Sequence, residues 1–336
     1  MIKLVNGDCL EKLRELHSET VDLVVADPPY FKVVNEKWDY NWRTEKDYLD
    51  WCIEWLNQVQ RVLRKGGSFY LFGYFRILVH LVPILDDLGF SIRQQIIVDK
   101  GMRAVTGRAT KNYKMFPNVT ESILFCYKDP KPYVRELLKN RQKALGLTSK
   151  KINQELGVKS NGGGMWSIYT GNNVCEQLPT KEHWDKLEEI LDFKYPYEKL
   201  AITFNQQMGF TDVWNDIDFY EEKRFHPTQK PQKLLERIIL ASSNEGDIVL
   251  DPFMGVGTTG VAAALEKRRF AGSELQHDYF QTAESRIKAA LEGTIKVRED
   301  KPVALPNPNS AVATLPEEFR LYREMKDSAN DDKNEN

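Results

Sequence analysis

Ile248-Val249-Leu250-Asp251-Pro252-Phe253-Met254-Gly255-Val256-Gly257-Thr258-Thr259-Gly260 passes from a short apolar run into a glycine-containing loop, and then into the alanine-rich residues 261–265. That order predicts a strand, a loop and a helix. Glycines at 255 and 257 let the backbone approach a ligand closely, and the free amides that open the helix face the ligand's polar end. No lysine follows the glycines, which argues against a phosphate-cradling loop. Glu274 closes the next apolar run, 270–273, where a carboxylate can accept both hydroxyls of a ribose. A loop of this kind alone also serves as a plain packing turn, so the rest of the chain has to decide between the two.

Working outward, the spacing predicts a helix over 232–242 before this unit and a final amphipathic helix over about 279–291 after it. At the other end, residues 2–5 read as a strand, 9–17 as a helix, and the valine-rich run 21–26 as a buried parallel strand stopped by Asp27-Pro28-Pro29. Thr44 with Asp47 resembles a capping box, and the helical face beginning at Tyr48 runs to Leu63, with Gly66-Gly67 as its stop. Strands follow at 68–72, 92–98 and 122–127, with a helix over 76–88 interrupted by Pro83. Seven strands alternating with helices make an α/β fold with a doubly wound, mostly parallel sheet. Residues 128–224 break the rhythm: they are polar, rich in Lys, Asn and Gly, and read as an insertion. Beyond about 295 the chain becomes rich in Pro and Asn, and its last ten or so residues read as disordered.

Asp27-Pro28-Pro29-Tyr30 is the sharper chemical signal. The lone pair of an exocyclic amine on a nucleobase is conjugated with the ring, so a catalyst must draw it out of the plane. A carboxylate from Asp27 and the carbonyl of Pro28 can each accept one hydrogen bond from such an amine and stabilise the positive charge that grows as an electrophile arrives. Two prolines fix the direction of that carbonyl, and Tyr30, with Phe31, offers a ring for stacking a base turned out of a duplex. Read blandly, two prolines end a buried strand with an acidic residue in the turn; the glycine loop and Glu274 weigh against that.

The bulk properties narrow the classes further. The 336 residues carry a net charge of −2, yet residues 100–160 hold fourteen basic and four acidic side chains, a local excess of +10. Local distribution outweighs the total for a nucleic-acid partner, although a solvated face gives the same count. No run of eighteen apolar residues occurs, and the first strand begins where a signal sequence would lie, so a cytoplasmic protein is expected. Cys9, Cys52, Cys126 and Cys175 are scattered, which predicts neither a disulfide framework nor a metal site. None follows a proline, which argues against transfer to cytosine C5 through a cysteine nucleophile.

Asp27-Pro28-Pro29-Tyr30, the glycine loop at 251–259 and Phe225-His226-Pro227-Thr228-Gln229-Lys230-Pro231 together resemble the DNA amino-methyltransferases of the permuted, beta-group arrangement. The resemblance covers most of 1–130 and 225–290. It implies a Rossmann-like, S-adenosylmethionine-dependent methyltransferase fold in which residues 2–5 pair with the strand ending at Glu274. It implies a catalytic half at 1–130, a target-recognition insertion at 131–224, a cofactor-binding half at 225–292 and a C-terminal extension at 293–336. By the same resemblance Asp27, Pro28, Pro29 and Tyr30 form the reaction site, Asp8 lies near the cofactor adenine and Glu274 binds its ribose. Asp251, Phe253, Gly255 and Gly257 shape the pocket around the methionine part, while Thr258, Thr259, His226, Thr228 and Lys230 border its carboxylate end. Val256 departs from the smaller residue usual there, and tighter packing is expected.

Residues 147–158 resemble the first helix and turn of a helix-turn-helix module, and 178–187 its later helix, within a segment spanning 145–191; such inserts occur in phage-type relatives. Asn161-Gly162-Gly163-Gly164 stands where a recognition helix should begin, and each glycine would weaken such a helix by about 1 kcal/mol. Arg103, Arg108, Lys111, Lys114, Lys150 and Lys151 are the expected contacts to double-stranded DNA. The expected reaction is direct transfer to adenine N6, without metal. Relatives of the N4-cytosine kind usually carry Ser in place of Asp27, which makes cytosine the alternative. A catalytically inert DNA-binding regulator is the rival from another class. A homodimer and a partner restriction endonuclease are further expectations of the resemblance.

Overall fold

The computed structural model describes residues 2–33, 40–104, 116, 118–159, 163–205, 210–220, 224–226 and 228–295. In chain order its strands are β1 (Ile2–Asn6), β2 (Val21–Ala26), β3 (Leu63–Gly73), β4 (Phe90–Asp99), β5 (Thr120–Lys128), β6 (Val213–Trp214), β7 (Ile248–Asp251) and β8 (Arg269–Glu274). The helices are α1 (Cys9–Glu15), α2 (Glu45–Val62), α3 (Phe75–Asp87), α4 (Lys131–Ala144), α5 (Ser149–Glu155), α6 (Gly164–Tyr169), α7 (Lys181–Ile190), α8 (Gln232–Ser242), α9 (Thr258–Leu265) and α10 (His277–Leu291).

One sheet carries all the described strands, in the order β1-β8-β7-β2-β3-β5-β4-β6, and only β5 runs antiparallel to its neighbours. The seven expected strands are all present; the two-residue β6 adds an eighth beside β4. β1 lies against β8 in register from Ile2 with Phe270 to Asn6 with Glu274, although some 268 residues separate them. Along β2 the side chains alternate between two cores. Leu23 and Val25 pack with α8, α9 and α10, while Val24 and Ala26 pack with α1, α2 and α3. Burial on both faces is why this run reads as continuously apolar rather than alternating.

α2 forms where expected, its start closed by reciprocal bonds between Thr44 and Asp47. Its end differs from expectation. The helix stops at Val62, and Gly66-Gly67 lie inside β3 at a shift of register against β2. Gly66 takes φ +73°, and a β-carbon there would run into the Leu200 carbonyl, so this glycine admits a returning chain segment rather than ending a helix.

Residues 131–200 build a third core on Val134, Leu138, Ile152, Trp166, Trp184 and Leu187. Here the glycine run has a structural use. Asn153, almost fully buried, donates to the Gly163 carbonyl at 2.8 Å and accepts from the Trp166 amide at 2.9 Å. Gly163 and Gly164 take φ +91° and +56°, so the turn that opens α6 needs them at the point where a recognition helix was expected to begin. The basic excess is also smaller than the count implies. Arg135 makes a two-pronged pair with Glu176, Arg141 pairs with Asp192, Lys128 with Glu19, and Arg103 with Asp218. Lys150 and Lys151 are exposed on α5, whereas Arg108, Lys111 and Lys114 lie outside the described residues, as do residues 296–336.

Candidate active site

The parallel strands β1, β8, β7, β2 and β3 all end on one edge of the sheet, and the strand order reverses between β7 and β2, the position at which open α/β sheets bind ligands. Being antiparallel, β5 begins on this edge, and so delivers Glu121 to it. A cavity of about 240 Å³ opens here, lined by residues from every one of the expected motifs: Asp8, Asp27, Pro28, Pro29, Tyr30, His226, Thr228, Lys230, Asp251, Phe253, Gly255, Val256, Thr258, Thr259 and Glu274. Sequence reading missed Trp42, Trp51 and Tyr279, which also line it.

On the cofactor-loop side each polar group is held by a backbone or hydroxyl partner. Glu274 accepts from the Gly255 amide at 2.9 Å through Oε2 and from the Gln276 amide at 2.7 Å through Oε1. Both carboxylate oxygens are thereby oriented at the cavity wall, and burial raises the carboxyl above its ordinary value. Asp8 caps α1 through Oδ1, accepting from the Leu10 amide at 2.9 Å and the Glu11 amide at 3.3 Å. Asp251 accepts from the Phe253 amide at 3.0 Å and from the Thr259 hydroxyl at 2.5 Å. The Thr258 hydroxyl accepts from Arg286 at 3.3 Å, and Thr228 is tied to His226 Nδ1 at 3.0 Å. Phe253 sits against Trp51 and Trp55, its centroid 5.7 and 5.1 Å from theirs.

The two glycines turn out to serve different ends. Gly255 takes φ +52° and lines the cavity, with open space where a β-carbon would stand. Gly257 is not on the cavity wall. It opens α9 at φ +79°, and a β-carbon there would lie 2.8 Å from that of Ala283 in α10. Gly257 is therefore a helix-packing glycine, which corrects its expected place in the methionine pocket. Gly257→Asp combines left-handed strain of about 1–2 kcal/mol with overpacking of about 1–3 kcal/mol. A clear fall in the thermal unfolding midpoint of the ligand-free protein is expected; an unchanged midpoint with lost cofactor binding would restore the pocket role.

Burial pushes the Asp251 carboxyl up to about 7 from an ordinary 3.8. Its ionised form is thus disfavoured in the folded state, so its contribution to stability is full below the unfolded value and is lost as pH rises through about 7. Asp251→Asn, which keeps both hydrogen-bonding positions, should gain on the wild type between about pH 5 and about pH 8, by about 3 kcal/mol in the ligand-free protein. Denaturant midpoints of the two proteins at both pH values check this; parallel pH dependences would contradict it.

On the opposite wall, Asp27 Oδ1 lies 2.8 Å from the Tyr30 hydroxyl and Oδ2 lies 2.7 Å from Lys230 Nζ. Tyr30 also reaches Glu121 Oε1 at 2.7 Å, so its single proton serves one carboxylate at a time. Lys230 approaches the same Glu121 oxygen at 3.4 Å, and Lys100 approaches Oε2 at 3.3 Å. Lys230 was expected at the carboxylate end of the cofactor; it borders the cavity, but its charge is spent on the two carboxylates. Burial would lower its ammonium, yet Asp27 and Glu121 outweigh that and hold it above the ordinary lysine value. Burial raises the Asp27 carboxyl; Lys230 opposes the rise and Glu121 adds to it. Glu121, despite its burial, is held below the ordinary value by Lys230 and Lys100. Burial, then the two carboxylates, keep Tyr30 protonated as a donor. The Tyr48 hydroxyl donates to the Pro29 carbonyl at 2.9 Å, which fixes the turn that carries the motif.

A doubly wound sheet with a carboxylate-lined cavity at its switch point, and an Asp-Pro-Pro-Tyr turn facing a glycine loop across it, defines a methyltransferase of the S-adenosylmethionine-dependent class. The family model described as DNA methylase, for N6 and N4 enzymes, matches residues 21–285, and the chain belongs to that family. It is 30% identical over 310 residues to the DNA adenine methyltransferase YhdJ of Escherichia coli K12, covering 89% of this chain and 88% of that one. It is 29% identical over 300 residues to the type II methyltransferase M.HinfI of Haemophilus influenzae, covering 85% of this chain and 68% of that one. The fold resembles that of TTHA0409 from Thermus thermophilus, solved with S-adenosyl-L-methionine. There the TM-score is 0.53 at 23% identity, covering 87% of this chain and 96% of that one.

Proposed function

We propose that the protein methylates N6 of adenine at specific sites in duplex DNA, with the target base turned out of the helix and the methyl group transferred directly. The observation that carries this reading is the placement of Asp27. Its two oxygens are fixed by Tyr30 and Lys230, on the wall of the cavity that the cofactor loop closes from the other side.

When bound, S-adenosylmethionine supplies an electrophilic methyl group on a sulfonium with a neutral thioether as leaving group. The residues present suit it: Glu274 for the ribose hydroxyls, Phe253 and the tryptophans for the apolar parts, and Asp251 for a cationic group. Asp27 accepts a hydrogen bond from the target amine, drawing the nitrogen lone pair out of conjugation, and stabilises the positive charge that nitrogen gains as its bond to carbon forms and the carbon–sulfur bond breaks. The methylated nitrogen then releases one of its two protons by way of the Asp27 carboxylate to solvent. Pro28 contributes its carbonyl as the second acceptor, and Tyr30 its ring for stacking the base. No covalent bond to the enzyme is needed, and positioning supplies most of the acceleration.

Adenine is favoured by aspartate at position 27 and by the likeness to an adenine methyltransferase. For duplex contact the reading uses Arg103, Lys150, Lys151 and the region around α5–α7 as a helix-turn-helix-like reader of the target. A second copy of the chain and an endonuclease cutting the same unmethylated site are its expected partners, in the cytoplasm. No described helix is long and apolar enough to cross a membrane. Incubation with methyl-labelled S-adenosylmethionine should place label in duplex DNA in preference to RNA of the same sequence; label confined to RNA would overturn the choice of substrate.

A further inference from the structure

We propose that Glu121 is a positioning residue of the methyl-transfer site, a second carboxylate that holds Lys230 and Tyr30 against Asp27 and so sets the direction in which Asp27 accepts. The inference rests on the reading of Asp27 given above.

Three features carry it. Glu121 comes from β5, which alone among the described strands starts on the catalytic edge, and its side chain is only 9% exposed. One of its oxygens faces both Tyr30 and Lys230, the same two groups that hold Asp27. Its other oxygen faces Lys100, so two carboxylates and two ammonium groups balance in one cluster whose centre, Glu121 and Lys230, is the most enclosed. With Asp27 alone, Lys230 could follow that carboxylate wherever it turned. Glu121 pulls the ammonium from a second direction and fixes it between the two. Lys230 then donates to one Asp27 oxygen while the other shares the Tyr30 proton with Glu121, and the lone pairs left over are those available to an amine in the cavity.

A structural role and a positioning role differ in what they move. The titratable groups around Asp27 are Tyr30 from its own turn, Lys230 ahead of α8, Glu121 with Lys100 behind it, and Asp251 across the cavity at the end of β7. Removing the Glu121 charge takes a negative neighbour away from Asp27. Its carboxyl should therefore titrate lower, and the acid limb of the kcat/KM profile should move to lower pH.

The test is Glu121→Gln, assayed on duplex DNA across pH, with cofactor binding and thermal unfolding measured in parallel. Expected are a kcat lower by about tenfold or more, a cofactor Kd within about twofold of wild type, and an acid limb displaced downward. Wild-type kcat with an unmoved acid limb overturns the inference, and so does a loss confined to thermal stability. Where Glu121→Gln does not fold, Glu121→Asp keeps the charge and withdraws it by one methylene; lowered kcat at unchanged cofactor Kd supports the inference, and unchanged kcat overturns it. Asp27→Ala separates the two levels. If that variant still turns over, the reading of Asp27 fails; if it is silent while Glu121→Gln behaves as wild type, only the inference about Glu121 fails.

Discussion

Asp27→Ala should lose turnover by roughly 10²–10⁴-fold while still binding cofactor and remaining folded. The prediction has two parts, and the geometry explains both. The Asp27 carboxylate is the acceptor of the site that lines the cavity with both its oxygens already oriented. Without it only the Pro28 carbonyl is left to draw the amine lone pair out of conjugation, and no carboxylate at the reaction site stabilises the charge that develops. Removal does not strand Lys230, because Glu121 remains 3.4 Å away and Lys100 lies on its far oxygen. One carboxylate then faces two ammonium groups, a surplus of one positive charge beside the cavity, while the cofactor-loop wall, with Glu274 and Asp251, is untouched. Steady-state rates and calorimetric cofactor binding on the same preparation check the two parts together. Retained turnover would remove Asp27 from the chemistry, and lost binding would place it in the cofactor site instead.

Lys230→Met should be the most destabilising single change in the site. It leaves Asp27 and Glu121 facing one another, at 25% and 9% side-chain exposure, with Lys100 the one cation left beside them among the described residues, on the far side of Glu121. Stripping one partner from a buried ion pair costs about 3–5 kcal/mol. The two carboxyls would then titrate above their unfolded values, so the penalty is small at low pH and grows as pH rises through the raised values. The expected result is a drop in the denaturant midpoint that is larger at about pH 8 than at about pH 5. Had Lys230 served mainly as a charge partner for the cofactor carboxylate, the same variant would keep its stability and show only a raised KM for the cofactor.

The contrast between these residues shows what the amino-acid sequence discloses and what it conceals. Asp27-Pro28-Pro29-Tyr30 and the loop at 251–259 are local: an apolar run, a stop and a glycine turn fall within a dozen residues, so composition alone places them at strand ends. The pairing of β1 with β8 is not local; it was expected only through the family resemblance, and the register of Asn6 with Glu274 agrees with it. Glu121 was counted merely as one acidic side chain in a basic stretch. Its position depends on β5 running antiparallel, which brings the start of that strand to the edge where its neighbours end, and direction within a sheet leaves no mark in a short apolar run.

Lys230 shows a different limit. It lines the cavity with the rest of its motif, but which carboxylates it meets is decided by side-chain packing across three elements. Gly257 looked like a ligand-approach glycine because it stands beside one; its neighbour is Ala283, contributed by α10 from beyond the next strand. α4 escaped notice since only Val134 and Leu138 bury a polar helix against the insertion core.

The most direct test of the central claim is to incubate the protein with unmethylated genomic DNA and methyl-labelled S-adenosylmethionine, digest the DNA to nucleosides, and identify the labelled one by mass. The account predicts N6-methyladenine from the wild type and no labelled nucleoside from Asp27→Ala. N4-methylcytosine would keep the mechanism and contradict the adenine assignment, and a wild-type protein that leaves DNA unlabelled would contradict the account itself.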